Sequence, residues 1–172
     1  MADPDWRAAR LMQIEEATAG FRGARYFQAL VLLLTRRLEV RFAMVTEIEG
    51  DSPDHGRAFA FADGQNIAEP FVYRTENLPC KTVLAGIAVK VPCNAVELYP
   101  GVGEVAAYCG QPLKDTRGRV VGLLAIEDIK AIERIDEIDA VLRALSGRVA
   151  AELECMRLQQ RDGEPRMAGS TP

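Results

Sequence analysis

The side chains of this sequence with chemistry to offer are four cysteines, a single histidine and a few aromatic hydroxyls. Cys80, Cys93, Cys109 and Cys155 have no paired CxxC spacing and sit in apolar segments. That pattern fits reduced thiols in a cytoplasmic protein better than a disulfide framework, since free cysteine is commonly a small buried hydrophobe. Cys80 stands at the start of a short helix expected over residues 78–85, and a helix N-terminus lowers a thiol's pKa and favours the nucleophilic thiolate. A buried structural thiol is the preferred reading there. His55 falls in a turn over residues 50–56, where a solvated side chain is expected rather than an axial haem ligand. Tyr73 and Tyr108 join an apolar ring to a hydroxyl that needs a partner once buried. With Phe59 and Phe61 they could stack on a flat ligand, the plain alternative being that all four are core. Asn77 and Asn94 mark expected helix starts, as side-chain caps or as places where backbone N–H groups face an anion. No catalytic set and no metal-ligand set emerges.

The elements that must position these residues follow from periodicity. Leu11, Ile14 and Ala17 recur at helical spacing over residues 5–19, and Gly20 and Gly23 interrupt them. Over residues 24–39, Phe27, Leu30, Val31, Leu34 and Leu38 form a second apolar stripe, with Arg36 and Arg37 at the end that the helix dipole favours for cations. Residues 41–49 read as a covered strand with Phe42, Met44 and Ile48 on one side and Ala43 and Val45 on the other. In residues 57–62, Phe59 and Phe61 share one face while Ala58, Ala60 and Ala62 share the other, leaving room for close approach. A polar loop is expected at 63–66, a short strand over 69–74 with Phe71 and Tyr73 on one side, and irregular chain after residue 85. Strands over 105–112 and 119–128 should pair as an antiparallel hairpin through a type I turn at Asp115 and Gly118. The second, from Val120 to Ile126, is apolar on both faces and is expected to be central.

The last helix, over residues 133–161, repeats Ile135, Ile138, Leu142, Leu145 and Val149 in steps of three and four, like a coiled-coil seam. The seam is longer than a domain of this size needs, so a homodimer is expected through it, with Leu11 and Ile14 completing a four-helix bundle. Residues 162–172, with little apolar content, should form a frayed tail. The division expected is an N-terminal helix at 1–23, a sensing body at 24–131, a dimerisation and signalling helix at 132–161, and the tail. The chain reads either as a stand-alone protein, which Met1 and the polar close favour, or as a piece cut from a longer one.

The chain has 172 residues, 48% hydrophobic and 27% charged with a formal net charge of −4, the balance of one globular domain. Its acidity argues against non-specific nucleic-acid binding, which needs clustered cations to displace counterions from phosphates. The longest strongly apolar run, residues 29–34, is far short of the ~20 residues of a membrane span. Residues 1–10 lack the basic start and apolar run of a secretory signal. A cytoplasmic location is expected.

Three stretches carry a family resemblance. They are Leu-Pro-Cys-Lys-Thr-Val-Leu from Leu78, Val-Pro-Cys-Asn-Ala-Val-Glu-Leu-Tyr-Pro from Val91, and the hairpin from Ala107, which holds Tyr108, Gly110, Pro112 and Leu113, the Asp115–Gly118 turn and the Gly122-centred strand. Over roughly residues 21–130 the chain resembles the GAF domain family. The resemblance implies an α+β fold with a central antiparallel sheet of five to six strands. Helices would cover one face, and a pocket roofed by short helices and loops over residues 63–103 would lie on the other. Family members bind cyclic nucleotides, tetrapyrroles, haem or small metabolites in that pocket. Here it would be lined by Phe59, Phe61, Tyr73, Leu78, Cys80, Val83 and Tyr108. Family domains commonly dimerise through terminal helices and pass a ligand signal to an attached output, but no output follows here.

Departures from the family narrow the ligand. Tetrapyrrole-attaching members place a histidine after the linking cysteine, where this chain has Lys81. The Asn-Lys-x-x-x-Phe-x-x-x-Asp-Glu signature of cyclic-nucleotide members is absent, and no cofactor is identified. Some members reduce free methionine sulfoxide with paired cysteines, which makes Cys80, Cys93 and Cys109 an enzymatic alternative, although their surroundings do not match that subfamily's motifs. The expected function is a sensory or regulatory domain of bacterial-type signal transduction. It would bind an unknown small molecule and signal to a partner protein through its terminal helices, with a ligand-free interaction module as a further alternative.

Overall fold

In the computed structural model, which describes residues 4–50 and 52–163, the stripe Phe27, Leu30, Val31, Leu34 and Leu38 is buried along α2 (Gly23–Leu38). The helix stops at Glu39, which takes the left-handed conformation (φ 58°) and donates its N–H to the Thr35 carbonyl, a role glycine usually fills. Helix α1 (Pro4–Thr18) precedes it, and α5 (Ile135–Gly163) closes the chain over 29 residues. Among the described residues no helix is long and apolar enough to cross a membrane.

Seven strands form one antiparallel sheet: β1 (Phe42–Ile48), β2 (His55–Asp63), β3 (Asn66–Ile67), β4 (Phe71–Arg74), β5 (Val89–Val91), β6 (Ala107–Lys114) and β7 (Val120–Asp128). Their order is β3-β2-β1-β7-β6-β5, with β4 also paired to β2. The sheet exceeds the expected five to six strands because β3 and β5, in stretches read as loop and irregular chain, are too short for alternation to show. The expected hairpin is present, its turn closed by Gly118 N–H donating to the Asp115 carbonyl at 2.9 Å. The side chain of Asp115 accepts from the Arg117 and Arg119 N–H groups. Strand β7 lies between β1 and β6, as its apolar faces demand. Gly122 is required there, because a Cβ at that position would lie 2.1 Å from the Thr46 carbonyl oxygen.

Alternation along the strands builds two cores on opposite faces. On one, α1, α2 and α5 cover Ala43, Val45, Ala60, Cys109, Leu124 and Ile126. On the other, α3 (Pro79–Leu84), α4 (Ala95–Leu98) and a 3-10 turn at Pro100–Val102 form a cap over Met44, Tyr108, Leu123 and Ala125.

The apolar seam of α5 faces the chain's own sheet. Ile135, Ile138, Leu142, Leu145 and Val149 are all buried within one chain, as is Ile14 of α1, and Leu11 is partly buried against the same cluster. These side chains thus pack within one chain, and a helix laid on a flat apolar face shares its spacing with the coiled-coil seam through which a homodimer is expected. One cluster draws on all three long helices, so α1 and α5 pack on the same face of the sheet as α2. Helix α5 runs on through Asp162 and Gly163, and the rest of the expected tail, from 164, lies outside the described residues.

Polar ties fix the helices to one another. Buried Asp139 of α5 accepts hydrogen bonds from Gln111 of β6 and from Arg143. Arg148 donates to the carbonyls of Thr18 at 2.9 Å and Phe21 at 3.3 Å and lies 4.3 Å from the Tyr26 ring. Glu152 accepts from the Gly23 N–H at the start of α2. Trp6 of α1 has the guanidinium groups of Arg10 and Arg134 each 5.5 Å from its ring centre.

Candidate ligand cavity

Between the sheet and its cap lies a cavity of about 230 Å³. Met44 of β1, Phe61 of β2, Phe71 and Tyr73 of β4, and Glu127 of β7 line its sheet side, and Leu78, Cys80 and the 101–105 loop line the cap side. The sequence-derived candidates divide as follows. Phe61, Tyr73, Leu78 and Cys80 line the cavity, while Tyr108 and Val83 are fully buried in the core beneath it.

Phe59 is a correction. A bulge in β2 sets Val45 opposite Ala60 but Thr46 opposite Ala58, which leaves Phe59 without a partner on β1. The extra residue moves Phe59 to the helix face, where its ring packs edge-on against Phe27 at 4.7 Å, while Phe61 stays on the cap side. The simple two-residue alternation read from the sequence could not contain this step.

The hydroxyls of the two candidate pocket tyrosines are satisfied within the protein. Tyr73 donates to Thr46 Oγ1 at 3.1 Å, and Tyr108 donates to Cys80 Sγ at 3.7 Å. The Tyr108 ring lies over Gly110, where a Cβ would sit 2.5 Å from the hydroxyl, which accounts for the Tyr-x-Gly pairing in β6. Burial is the main cause that pushes both phenols well above the ordinary tyrosine range.

The thiols occupy different settings. Burial pushes Cys80 up to about 11, with the nearby Glu127 charge acting in the same direction, which agrees with the buried structural thiol preferred from the sequence over a thiolate nucleophile. Helix α3 has only six residues, and desolvation exceeds any dipole it can supply. Cys109 is pushed to about 12 by burial and lies on the helix face with its Sγ 3.8 Å from Asp139. Cys93 is exposed. The three cysteines grouped as a redox set are thus split between the two faces of the sheet and the surface.

Neither asparagine acts as a side-chain cap. Asn77 and Asn94 both take left-handed backbone angles, Leu78 is the residue capping α3, and no side-chain cap bond forms at α3 or α4. His55 is exposed at the first position of β2 rather than within the turn. Among the described residues no His, Cys, Asp or Glu group is placed to hold a metal ion.

Sequence reasoning missed Glu127. It is partly buried, faces Tyr108 of β6 and Phe42 of β1, and has no hydrogen-bond or ion-pair partner among the described residues. Desolvation alone raises its pKa to about 7. The signal was available: Leu123 and Ala125 face the cap, so the next alternate position, Glu127, carries a carboxylate to the same side. A second depression, about 340 Å³ and polar, lies between the hairpin turn and the end of α5. Its charges largely answer one another, Arg119 pairing with Asp115 and Arg157 with Glu47.

No family model matches the chain, and no curated protein is similar to it. Solved structures are. The GAF domain from Acinetobacter phosphoenolpyruvate-protein phosphotransferase is similar at 10% identity and a TM-score of 0.72, over 94% of this chain and 99% of that one. The GAF domain from the corresponding Coxiella burnetii protein is 17% identical with a TM-score of 0.70, covering 90% and 96%. Free methionine-R-sulfoxide reductase from Neisseria meningitidis, solved with its substrate, is 16% identical with a TM-score of 0.70, covering 92% and 96%. Together with the strand order and the two-faced packing of the sheet, these likenesses establish that the chain has the GAF-domain fold.

Proposed function

We propose that this chain is a sensory or regulatory module in which a small molecule occupies the cavity between sheet and cap and alters how α1 and α5 are held. The observation that carries this reading is the combination of an apolar cavity with one unpartnered carboxylate inside it. Ligand sites are mostly apolar concavities with a few polar groups that fix orientation. A route to the helices exists through the sheet itself. Leu123, Ala125 and Glu127 of β7 face the cap, while Leu124 and Ile126 between them touch the helices. A ligand shifts only states that it binds differently, so occupancy would have to favour one seating of the strands against α5. The receiver would be another protein in the cytoplasm, where four unpaired thiols are at home.

The competing readings have less support. The separated, high-pKa cysteines offer no paired thiolate for methionine sulfoxide reduction. A ligand-free module called for a collapsed pocket filled by Phe59, Phe61 and Tyr73, whereas Phe59 is on the other face. The test is a ligand-observed NMR screen of a fragment library against the wild type and against Val105→Trp, which fills the cavity from its rim. Fragments that bind the wild type and are lost from the variant are expected. A screen in which filling the cavity displaces nothing overturns the reading.

A further inference from the structure

The cavity holds one formal charge. Every lining residue other than Glu127 is neutral, and the polar groups nearest it have other engagements: Tyr73 gives its proton to Thr46 and Tyr108 gives its proton to Cys80. The carboxylate therefore faces the cavity with its acceptor sites open. Burying an ionised carboxylate without a partner is costly, and the cost is relieved only by a group that brings positive charge or N–H donors. A ligand without a donor would strip its remaining water and return nothing, a neutral donor would offset less of the charge than an ammonium, and an anion would be repelled.

The walls suit a cation as well. Phe61, Phe71 and Tyr73 form a continuous aromatic row, with ring centres 5.6 Å and 5.9 Å apart. Aromatic rings attract desolvated cations through their quadrupoles, the physical basis of aromatic cages. At about 230 Å³ the cavity is smaller than the range that holds drug-sized ligands, which favours a compact one.

Resting on the ligand-site reading above, we infer that the cavity selects a compact organic cation: a protonated amine carried on a small apolar body, its ammonium on Glu127 and its body against the Phe61, Phe71 and Tyr73 row. Binding then depends on pH through Glu127. The groups facing it are Tyr108 of β6, Phe42 of β1, Tyr73 of β4 and Cys80 of α3. The titratable three among them all have raised pKa values and stay neutral where Glu127 ionises. Since Glu127 titrates near 7, a protonated amine binds better as pH rises through that value.

Benzylamine, benzyl alcohol and benzoate, three probes of one shape and different charge, decide the matter by calorimetric titration at about pH 8 and about pH 5.5, either side of the Glu127 titration. Benzylamine is expected to bind at least about tenfold more tightly than benzyl alcohol at the higher pH. That preference should shrink at the lower pH and vanish in Glu127→Gln, which keeps its affinity for the alcohol. Equal binding of amine and alcohol by the wild type overturns charge selection while leaving the ligand site standing. Binding that survives in Val105→Trp, or absence of binding by all three probes, overturns the site reading and this inference with it. The wild-type comparison across charge and pH needs no variant to fold.

Discussion

Glu127 holds its charge in a partly buried place where water solvates it poorly, and the protein as a whole bears the cost. Its native pKa is raised to about 7 while an unfolded glutamate titrates near its ordinary value, so between those values the native state binds more protons than the unfolded state. Stability must then fall as pH rises through that window. The wild type is expected to lose on the order of 2 kcal/mol between about pH 5 and pH 8, and Glu127→Gln to lose markedly less, as read by urea unfolding. An identical slope in both proteins would place the titrating group elsewhere. At this scale the sequence was partly legible. Tyr73 and Leu78 could be picked out because aromatic and apolar side chains beside a short helix invite a pocket, whereas Glu127 looked like the polar end of a strand. Its role depends on a cap contributed by residues about 25 to 50 positions upstream, which no local pattern contains.

The long elements declare themselves because their hydrophobic period repeats several times. Helices α2 and α5 and strand β7 lie within a few residues of where periodicity puts them. What a helical face packs against is another matter, since the same stripe serves a partner helix or the chain's own sheet. Leu142→Ala separates these meanings. As a fully buried core residue it should cost about 2 to 5 kcal/mol in denaturant unfolding and leave the subunit count by light scattering unchanged. A change of subunit count without loss of stability would restore the seam to an interface. Strand β2 teaches the complementary lesson. Its alternation was readable, but a single extra residue at Phe59 reverses the face of that side chain, and bulges respond to the twist and pairing of the neighbouring strand.

For the whole molecule, the decisive arrangement is one sheet shared by two cores, with the first and last helices gathered on the side away from the cavity. Arg148 of α5 is a tie across that gathering, holding the carbonyls of Thr18 at the end of α1 and of Phe21 in the link, and the Tyr26 ring in the first turn of α2. Arg148→Ala should raise amide hydrogen exchange across residues 4–22 by about tenfold, a local loss near 1.4 kcal/mol, with the strands of the sheet keeping their protection. Uniform loosening of the sheet would mean that the helices and the cavity face form one inseparable cooperative unit. That the first and last helices belong to the core was not legible in the sequence, because their amphipathicity reads equally well as that of detachable arms.

Trp6 gives this arrangement an optical consequence. It is the sole tryptophan of the chain, and it stands between one arginine of its own helix and another just ahead of α5. Cations close to an indole ring shift its emission, so the protein's intrinsic fluorescence is an indicator of the distance between its first and last helices. The molecule carries a gauge at the place where a message from the cavity would have to emerge, and that gauge can be read without attaching any label.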